Sequence, residues 1–250
     1  MRAKVGFFSG LYSSGVARYI AVAHGTTPFV SAYPWSGSGF GTKFSNPATL
    51  PASTGFGVSF SPSGDTIAVA HNSSPYVSIY PWSGGFGTKY SNPATLPSSS
   101  GRTTAFSPAG DAIAVAHTTT PFVSVYPWSG SGFGTKFSNP ATLPAGQGNG
   151  VAFTPSGDTI AVAAWGSPYI LVYPWDSSTG FGTKYSNPAT LPAGAAYSAV
   201  FSPAGDAIAV SHVTTPFVSV YPWDVSTGFG TKFSNPATLP AGNGIAVAFA

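Results

Sequence analysis

The sequence predicts an all-β protein, a five-bladed β-propeller of four-stranded antiparallel blades, and three observations carry that reading. First, the triplet Tyr-Pro-Trp recurs at Tyr33-Pro34-Trp35, Tyr80-Pro81-Trp82, Tyr126-Pro127-Trp128, Tyr173-Pro174-Trp175 and Tyr221-Pro222-Trp223, at spacings of 47, 46, 47 and 48 residues. A fixed period of this size marks a repeat architecture in which no unit buries its apolar faces alone. Second, the 250 residues include 31 Gly and 24 Pro, no glutamate and only 6% charged side chains, which suits turns and strands and starves helices. Third, each period holds short runs that alternate in polarity with a period of two. The unbroken array argues for one domain over residues 1–250.

The elements follow in order from the second copy. Gly57 to Phe60 reads as a first strand, closed by the turn Ser61 to Asp65, in which proline presets φ, glycine tolerates positive φ and aspartate bonds back to the turn. The second strand, Thr66 to His71, places Ile67, Val69 and His71 on one face and Ala68 and Ala70 on the other. The third, Tyr76 to Trp82, is apolar or small on both faces, which predicts cover on both sides. Phe86 to Pro97 is the fourth, and Pro93 and Pro97 confine it to an outer edge because proline donates nothing to a ladder. Small residues inside and large ones outside, in four strands per unit, describe one blade of a radially closed ring.

The chain ends decide how such a ring closes. Gly244-Ile245-Ala246-Val247-Ala248-Phe249 matches the first-strand pattern and follows the fifth fourth-strand, while the first unit begins at its second strand, Tyr19 to His24. The economical solution completes the first blade with residues 244–249 beside 19–24. Val5-Gly6-Phe7 competes for the same slot.

Phe60-Ser61-Pro62-Ser63-Gly64-Asp65 through Tyr80-Pro81-Trp82, and its echoes from Phe106, Phe153 and Phe201, resembles the stretch of a WD repeat from the end of the first strand to the tryptophan of the third. The Gly-His pair of that family is missing, and Trp-Asp occurs only at Trp175-Asp176 and Trp223-Asp224, so its hydrogen-bonded tetrad does not carry over. The resemblance implies a WD-like propeller, with the loops before each first strand and those joining second to third strands on one face of the disc. The Tyr-Pro-Trp arrays are also similar to repeats of uncharacterised viral proteins. In blade count and repeat length the array resembles five-bladed tachylectins.

Composition narrows the function. The net charge is +3 with a pI near 9.1. However, five of the nine cations are one lysine per repeat, Lys43, Lys89, Lys136, Lys184 and Lys232. Phosphate tracking needs cations clustered on one face, so nucleic acid is not an expected partner. Cysteine is absent, which excludes disulfides and thiolate metal sites and leaves the compartment undetermined. The chain start lacks a signal-peptide core, and no apolar run reaches a membrane span of about 18 residues. A soluble monomer is expected, without membrane contact.

No constellation of residues announces chemistry. His24, His71, His117 and His212 end second strands one per blade, too far apart for a metal with bonds of about 2.0–2.1 Å, so each is expected to bond within its own blade. Asp65, Asp111, Asp158 and Asp206 repeat one turn position, and capping accounts for them. The Gly-rich Gly-Thr-Lys connections precede no helix, so they are hairpin loops rather than phosphate cradles. The sequence therefore predicts no enzyme, no cofactor and no metal.

The first functional expectation is a non-catalytic interaction or structural scaffold for an unknown protein partner, presenting a variable loop face. The segment Gly-Phe-Gly-Thr-Lys-(Phe/Tyr)-Ser-Asn-Pro-Ala-Thr-Leu-Pro is identical at 12 of 13 positions in all five copies, while bulky departures gather in the loops. Arg102, Gln147, Trp165 and Tyr197 are the contact candidates. The alternative is a multivalent, glycan-binding lectin with equivalent sites on each blade, combining Phe44 and Asn46, Tyr90 and Asn92, Phe137 and Asn139, Tyr185 and Asn187, and Phe233 and Asn235.

Overall fold

The computed structural model describes residues 18–250, and every statement below concerns those residues. Val5 to Phe7, the competing inner strand, lies outside them. The described chain is all β, with no helix, in five antiparallel sheets. The first holds β1 (Tyr19–Ala23), β2 (Val30–Ser36) and β3 (Gly39–Phe40). The second holds β4 (Gly55–Phe60), β5 (Thr66–His71) and β6 (Val77–Pro81), and the third β7 (Gly101–Phe106), β8 (Ala112–His117) and β9 (Val123–Pro127). The fourth holds β10 (Gly148–Phe153), β11 (Thr159–Ala164), β12 (Ile170–Asp176) and β13 (Gly180–Phe181). The fifth holds β14 (Ala196–Phe201), β15 (Ala207–His212), β16 (Val218–Asp224) and β17 (Gly228–Phe229).

Strand order follows chain order within each sheet, but only the fourth and fifth sheets have four strands. The outer segment accounts for the difference in the second and third sheets. It touches the ladder there only through the single bridges Trp82↔Phe86 and Trp128↔Phe133. Beyond those points it bonds to the third strand intermittently, as Gly87 N–H to the Pro81 carbonyl and Tyr90 N–H to the Ile79 carbonyl. The proline at Asn92-Pro93 then ends any pairing. Tyr76 also lies outside the third strand: its φ of 69° follows the cis bond Ser74-Pro75, and the equivalent residues Phe29, Phe122, Tyr169 and Phe217 share that conformation.

Each sheet has two unlike faces, because its second strand alternates Ile and Val with Ala. Between the first and second sheets, Ala21, Ala23, Val30 and Ala32 of one meet Ile67, Val69, Tyr80 and Trp82 of the next. The same small-against-large fit joins second to third, third to fourth and fourth to fifth sheets. The middle sheets are covered on both sides, and every residue of β5, β8 and β11 is buried. Each buried Ile or Val contributes about 1.5–3 kcal/mol.

First strands of successive sheets converge, and they position the site. Ser59 Oγ and Thr104 Oγ1 lie 2.7 Å apart, Thr103 Oγ1 donates to the Asn149 carbonyl at 2.6 Å, and Asn149 Nδ2 donates to the Ala196 carbonyl at 2.8 Å. Gly57 makes the approach possible: a Cβ there would sit 2.8 Å from the Arg102 carbonyl oxygen. Residues 244–250 form no strand and β1 pairs only with β2, so the pairing of 244–249 with 19–24 is absent from the ladders.

Candidate functional site

The site is built from an irregularity repeated in four first strands. Pairing of first with second strand slips by one residue between Gly55 and Gly57, Gly101 and Thr103, Gly148 and Gly150, and Ala196 and Ser198. A bulge re-aims the extra residue. The extra residues are Phe56, Arg102, Asn149 and Tyr197, and all four line one cavity of about 890 Å³. Ile245, one residue after Gly244 as Phe56 is after Gly55, joins them, and Pro240 to Asn243 add wall from the segment after the fifth sheet. Gln147 and Trp165 complete the lining from loops.

Those two loops hold each other. Trp165 N–H donates to the Gln147 carbonyl at 2.9 Å, and a Cβ on Gly166 would stand 2.5 Å from the Ala145 carbonyl oxygen, so only glycine fits the contact. Trp165 is half exposed and meets the Tyr197 ring edge-on, with centroids 6.0 Å apart. Arg102 lays its guanidinium over the Phe56 ring, 4.7 Å from the centroid, and its Nε is buried without a hydrogen-bond partner among the described residues. Burial pushes the Arg102 pKa down, and the nearby Tyr197 opposes the shift. Among the described residues no carboxylate, lysine or imidazole lines the cavity. The lining thus sets a partly desolvated cation among aromatic rings and amides, groups that complement negative charge and flat apolar faces respectively.

The four contact candidates taken from the sequence, Arg102, Gln147, Trp165 and Tyr197, therefore share one cavity. Phe56 and Asn149 escaped sequence reasoning. The signal was available, since both occupy the place of Arg102 one residue after a first-strand glycine.

The glycan set does not assemble. Phe44, Tyr90, Phe137 and Tyr185 meet Trp82, Trp128, Trp175 and Trp223 of the following sheet edge-on, at centroid distances of 5.1, 5.1, 5.0 and 4.9 Å. They are spent on sheet-to-sheet packing, and only Phe233, with no following sheet, is more than half exposed. The amide oxygens of Asn46, Asn92, Asn139, Asn187 and Asn235 each accept from the lysine three residues earlier, at 2.5–2.7 Å. A sugar would have to displace both sets of contacts.

The histidines and aspartates keep to their own sheets. His24, His71, His117 and His212 place Nε2 3.0–3.1 Å from Ser31, Ser78, Ser124 and Ser219 Oγ. Burial lowers His71 and His117 to about 4, with the backbone at Ser73 and Thr119 pulling the other way. Asp65, Asp111, Asp158 and Asp206 accept from the hydroxyl four residues earlier, at 2.6–2.9 Å, and so cap their turns. Among the described residues no group of His, Cys, Asp or Glu could hold a metal, and no helix is long and apolar enough to cross a membrane.

No protein-family model matches the chain, and no curated protein matches it, so neither the WD-repeat nor the viral likeness gains support. Among solved structures, the chain is similar to a Bacteroides uniformis protein provisionally assigned as a 6-phosphogluconolactonase. The TM-score is 0.64 at 16% identity, over 88% of this chain and 68% of that one. That likeness shows the fold, a propeller-like array of repeated sheets. It also corrects two expectations, the non-catalytic scaffold with its lectin alternative and the exclusion of an enzyme, because the protein sharing this fold is itself assigned as an enzyme.

Proposed function

We propose that the five sheets are blades of a β-propeller and that the cavity on their common axis is a hydrolytic site for a small hydroxylated anion. A phosphorylated sugar lactone is the first substrate class to test. The observation that carries this reading is Arg102, the one cation of the lining among the described residues, buried at Nε and without a hydrogen-bond partner there, in a wall to which those residues bring no carboxylate. A guanidinium presents paired N–H donors that match phosphate or carboxylate oxygens, and stacking on Phe56 holds its plane. Trp165, Tyr197 and Phe56 offer apolar faces to a sugar ring, and Gln147 and Asn243 offer amides to its hydroxyls. The likeness to the B. uniformis protein supports a lactone as the reacting group.

The chemistry follows from what the wall holds. Water adds to the lactone carbonyl, the ring C–O bond breaks, and the products are a carboxylate and a free hydroxyl. Negative charge builds on the carbonyl oxygen, where the side-chain amides of Gln147 and Asn243 are the donors the lining offers. The lining has no imidazole or carboxylate, so the proton of the attacking water leaves through the open mouth to solvent. Lactones suit such a site, because an activated ester needs positioning and electrophilic help more than a strong base.

The test is hydrolysis of 6-phosphogluconolactone followed against the spontaneous rate, with 6-phosphogluconate binding measured by calorimetry. Arg102→Ala is expected to weaken binding about 10- to 100-fold, the range of a lost charge-assisted hydrogen bond, while Arg102→Lys retains part. Folded protein that neither binds the acid at millimolar concentration nor exceeds the blank rate would overturn the proposal.

A further inference from the structure

The two end sheets have open faces that match each other. In the second to fifth sheets the bulky-face residues Ile67, Ile113, Ile160 and Ile208 are fully buried, as are Tyr80, Tyr126, Tyr173 and Tyr221. Their equivalents in the first sheet, Ile20 and Tyr33, are only half-buried, and so are Val22 and Trp35. On the small face of the fifth sheet, Val218 and Val220 are half-buried where Val77, Ile79, Val123, Val125, Ile170 and Val172 are 0–1% exposed. Phe233 is 51% exposed where its counterparts rest on a tryptophan. The first sheet thus lacks what the fifth displays.

A strand is missing and available in the same place. Among the described residues β1 has no first strand beside it, and Gly244 stands to the fifth sheet as Gly55 stands to the first. Gly55 N–H donates to the His24 carbonyl and Gly244 N–H to the His212 carbonyl, both at 3.0 Å. Cβ atoms on these glycines would lie 2.4 Å from the Phe29 carbonyl oxygen and 2.2 Å from that of Phe217. Residues 244–250 therefore hold the first-strand position of whatever sheet follows the fifth. Transferring the register of β4 on β5 to β1 pairs Ala246 with Ala23, Val247 with Val22, Ala248 with Ala21 and Phe249 with Ile20.

We infer that residues 240–250 are a strap that closes the array, with 244–249 completing the first sheet beside β1 and Phe233 settling on Trp35. Closure is coupled to the axial cavity, because Pro240, Asn243 and Ile245 belong to both the strap and the cavity wall. The coupling rests on the ligand reading above; the closure does not. An anion on Arg102 that also touches Asn243 binds the closed array better than the open one, and so shifts the population toward it. The covering element is taken to be the chain's own fifth sheet, since its exposed residues repeat those that cover such a face four times within the molecule.

The chain has no cysteine, so an engineered pair reports closure directly. Ala21→Cys with Ala248→Cys should form an intrachain disulfide under mild oxidation, at least tenfold faster than the out-of-register pair Ala21→Cys with Val247→Cys. 6-Phosphogluconate should accelerate it severalfold, and Arg102→Ala should abolish the acceleration while leaving the basal rate. In the protein without engineered cysteines, hydrogen exchange at Ala21 and Ala23, whose amides face away from β2, should slow when the acid is added. Disulfides only between chains, equal rates for the two pairs, or no bond in folded protein would overturn closure, and the first of these would identify a second copy as the occupant. A basal intrachain bond indifferent to the acid would overturn the coupling and count against the ligand, with closure intact.

Discussion

Replacing one tryptophan per sheet by alanine should separate the inner sheets from the first, although the sequence around each is nearly the same. Trp175 is 5% exposed and meets Phe137, Phe153 and Phe181 edge-on at 5.0, 5.7 and 5.3 Å. Removing a buried tryptophan leaves a cavity and costs about 3–5 kcal/mol, which includes ring pairs of about 0.5–1.5 kcal/mol each. In a domain of this length about 1 kcal/mol moves Tm by roughly 2–4 °C, so Trp175→Ala should lower Tm by about 6–20 °C. Trp128→Ala and Trp223→Ala should match it, since each keeps a partner from the sheet before, Tyr90 at 5.1 Å and Tyr185 at 4.9 Å. Trp35 is half-buried and, among the described residues, rests on Phe40 alone of the sheet-packing rings, at 5.3 Å, so Trp35→Ala should cost only about 1–2 kcal/mol. Guanidinium unfolding followed by far-ultraviolet circular dichroism gives both numbers. A Trp35→Ala cost within about 1 kcal/mol of Trp175→Ala, in protein without ligand, would refute the argument that neighbouring sheets set these energies. With 6-phosphogluconate present the two costs should draw together, because closure covers Trp35.

Three further perturbations follow from single contacts. Gly148→Ala places a Cβ 2.1 Å from the Phe122 carbonyl oxygen and should cost about 3 kcal/mol or more, read as a drop in denaturation midpoint; an unchanged midpoint would mean that the strand ends move freely. Tyr173→Phe removes the hydroxyl that donates to the Thr142 carbonyl at 2.7 Å across a sheet boundary, and should cost about 1 kcal/mol in the same assay. His71 and His117 are neutral when folded down to about pH 4 but take up protons near 6.5 when unfolded. Stability should therefore be flat above pH 6.5 and fall between 6.5 and 4, by up to about 1.4 kcal/mol per pH unit for each. The double variant His71→Gln, His117→Gln should flatten that fall, and a slope unchanged in it would assign the acid sensitivity elsewhere.

The sheets were legible because their physics is local. A run such as Thr66 to His71 carries strand propensity, an alternation that fixes both faces and a turn that caps itself through Asp65, and five copies repeat the message. The fourth strand is shorter than its sequence suggests for a related reason. Its proline is an edge signal, but proline also ends the ladder after a bridge or a two-residue strand, as at Trp82↔Phe86. The role of Phe44 and its equivalents was not legible at all. An aromatic on an outer edge looks like a sugar platform until the tryptophan of the next sheet, 38 residues on for Trp82, is placed against it. Whether an element faces solvent or a neighbour is tertiary information, and a periodic sequence withholds it most completely, since every copy says the same thing.

Where the copies differ, the sequence speaks about the site. Near-identical sheets placed around one axis would give a cavity with the same wall all round, and such a wall has no orientation to impose on a small asymmetric ligand. The bulge supplies the needed freedom, because its extra residue leaves the ladder and points to the cavity without disturbing the faces that pack. At that position the chain carries Phe56, Arg102, Asn149 and Tyr197, and Ile245 follows Gly244 in the equivalent place: an aromatic ring, a cation, an amide, a phenol and an aliphatic chain. The outer segment differs at one position in 13, and there only between phenylalanine and tyrosine. The segment that must repeat in order to pack is repetitive, and the five residues that meet at the cavity all differ.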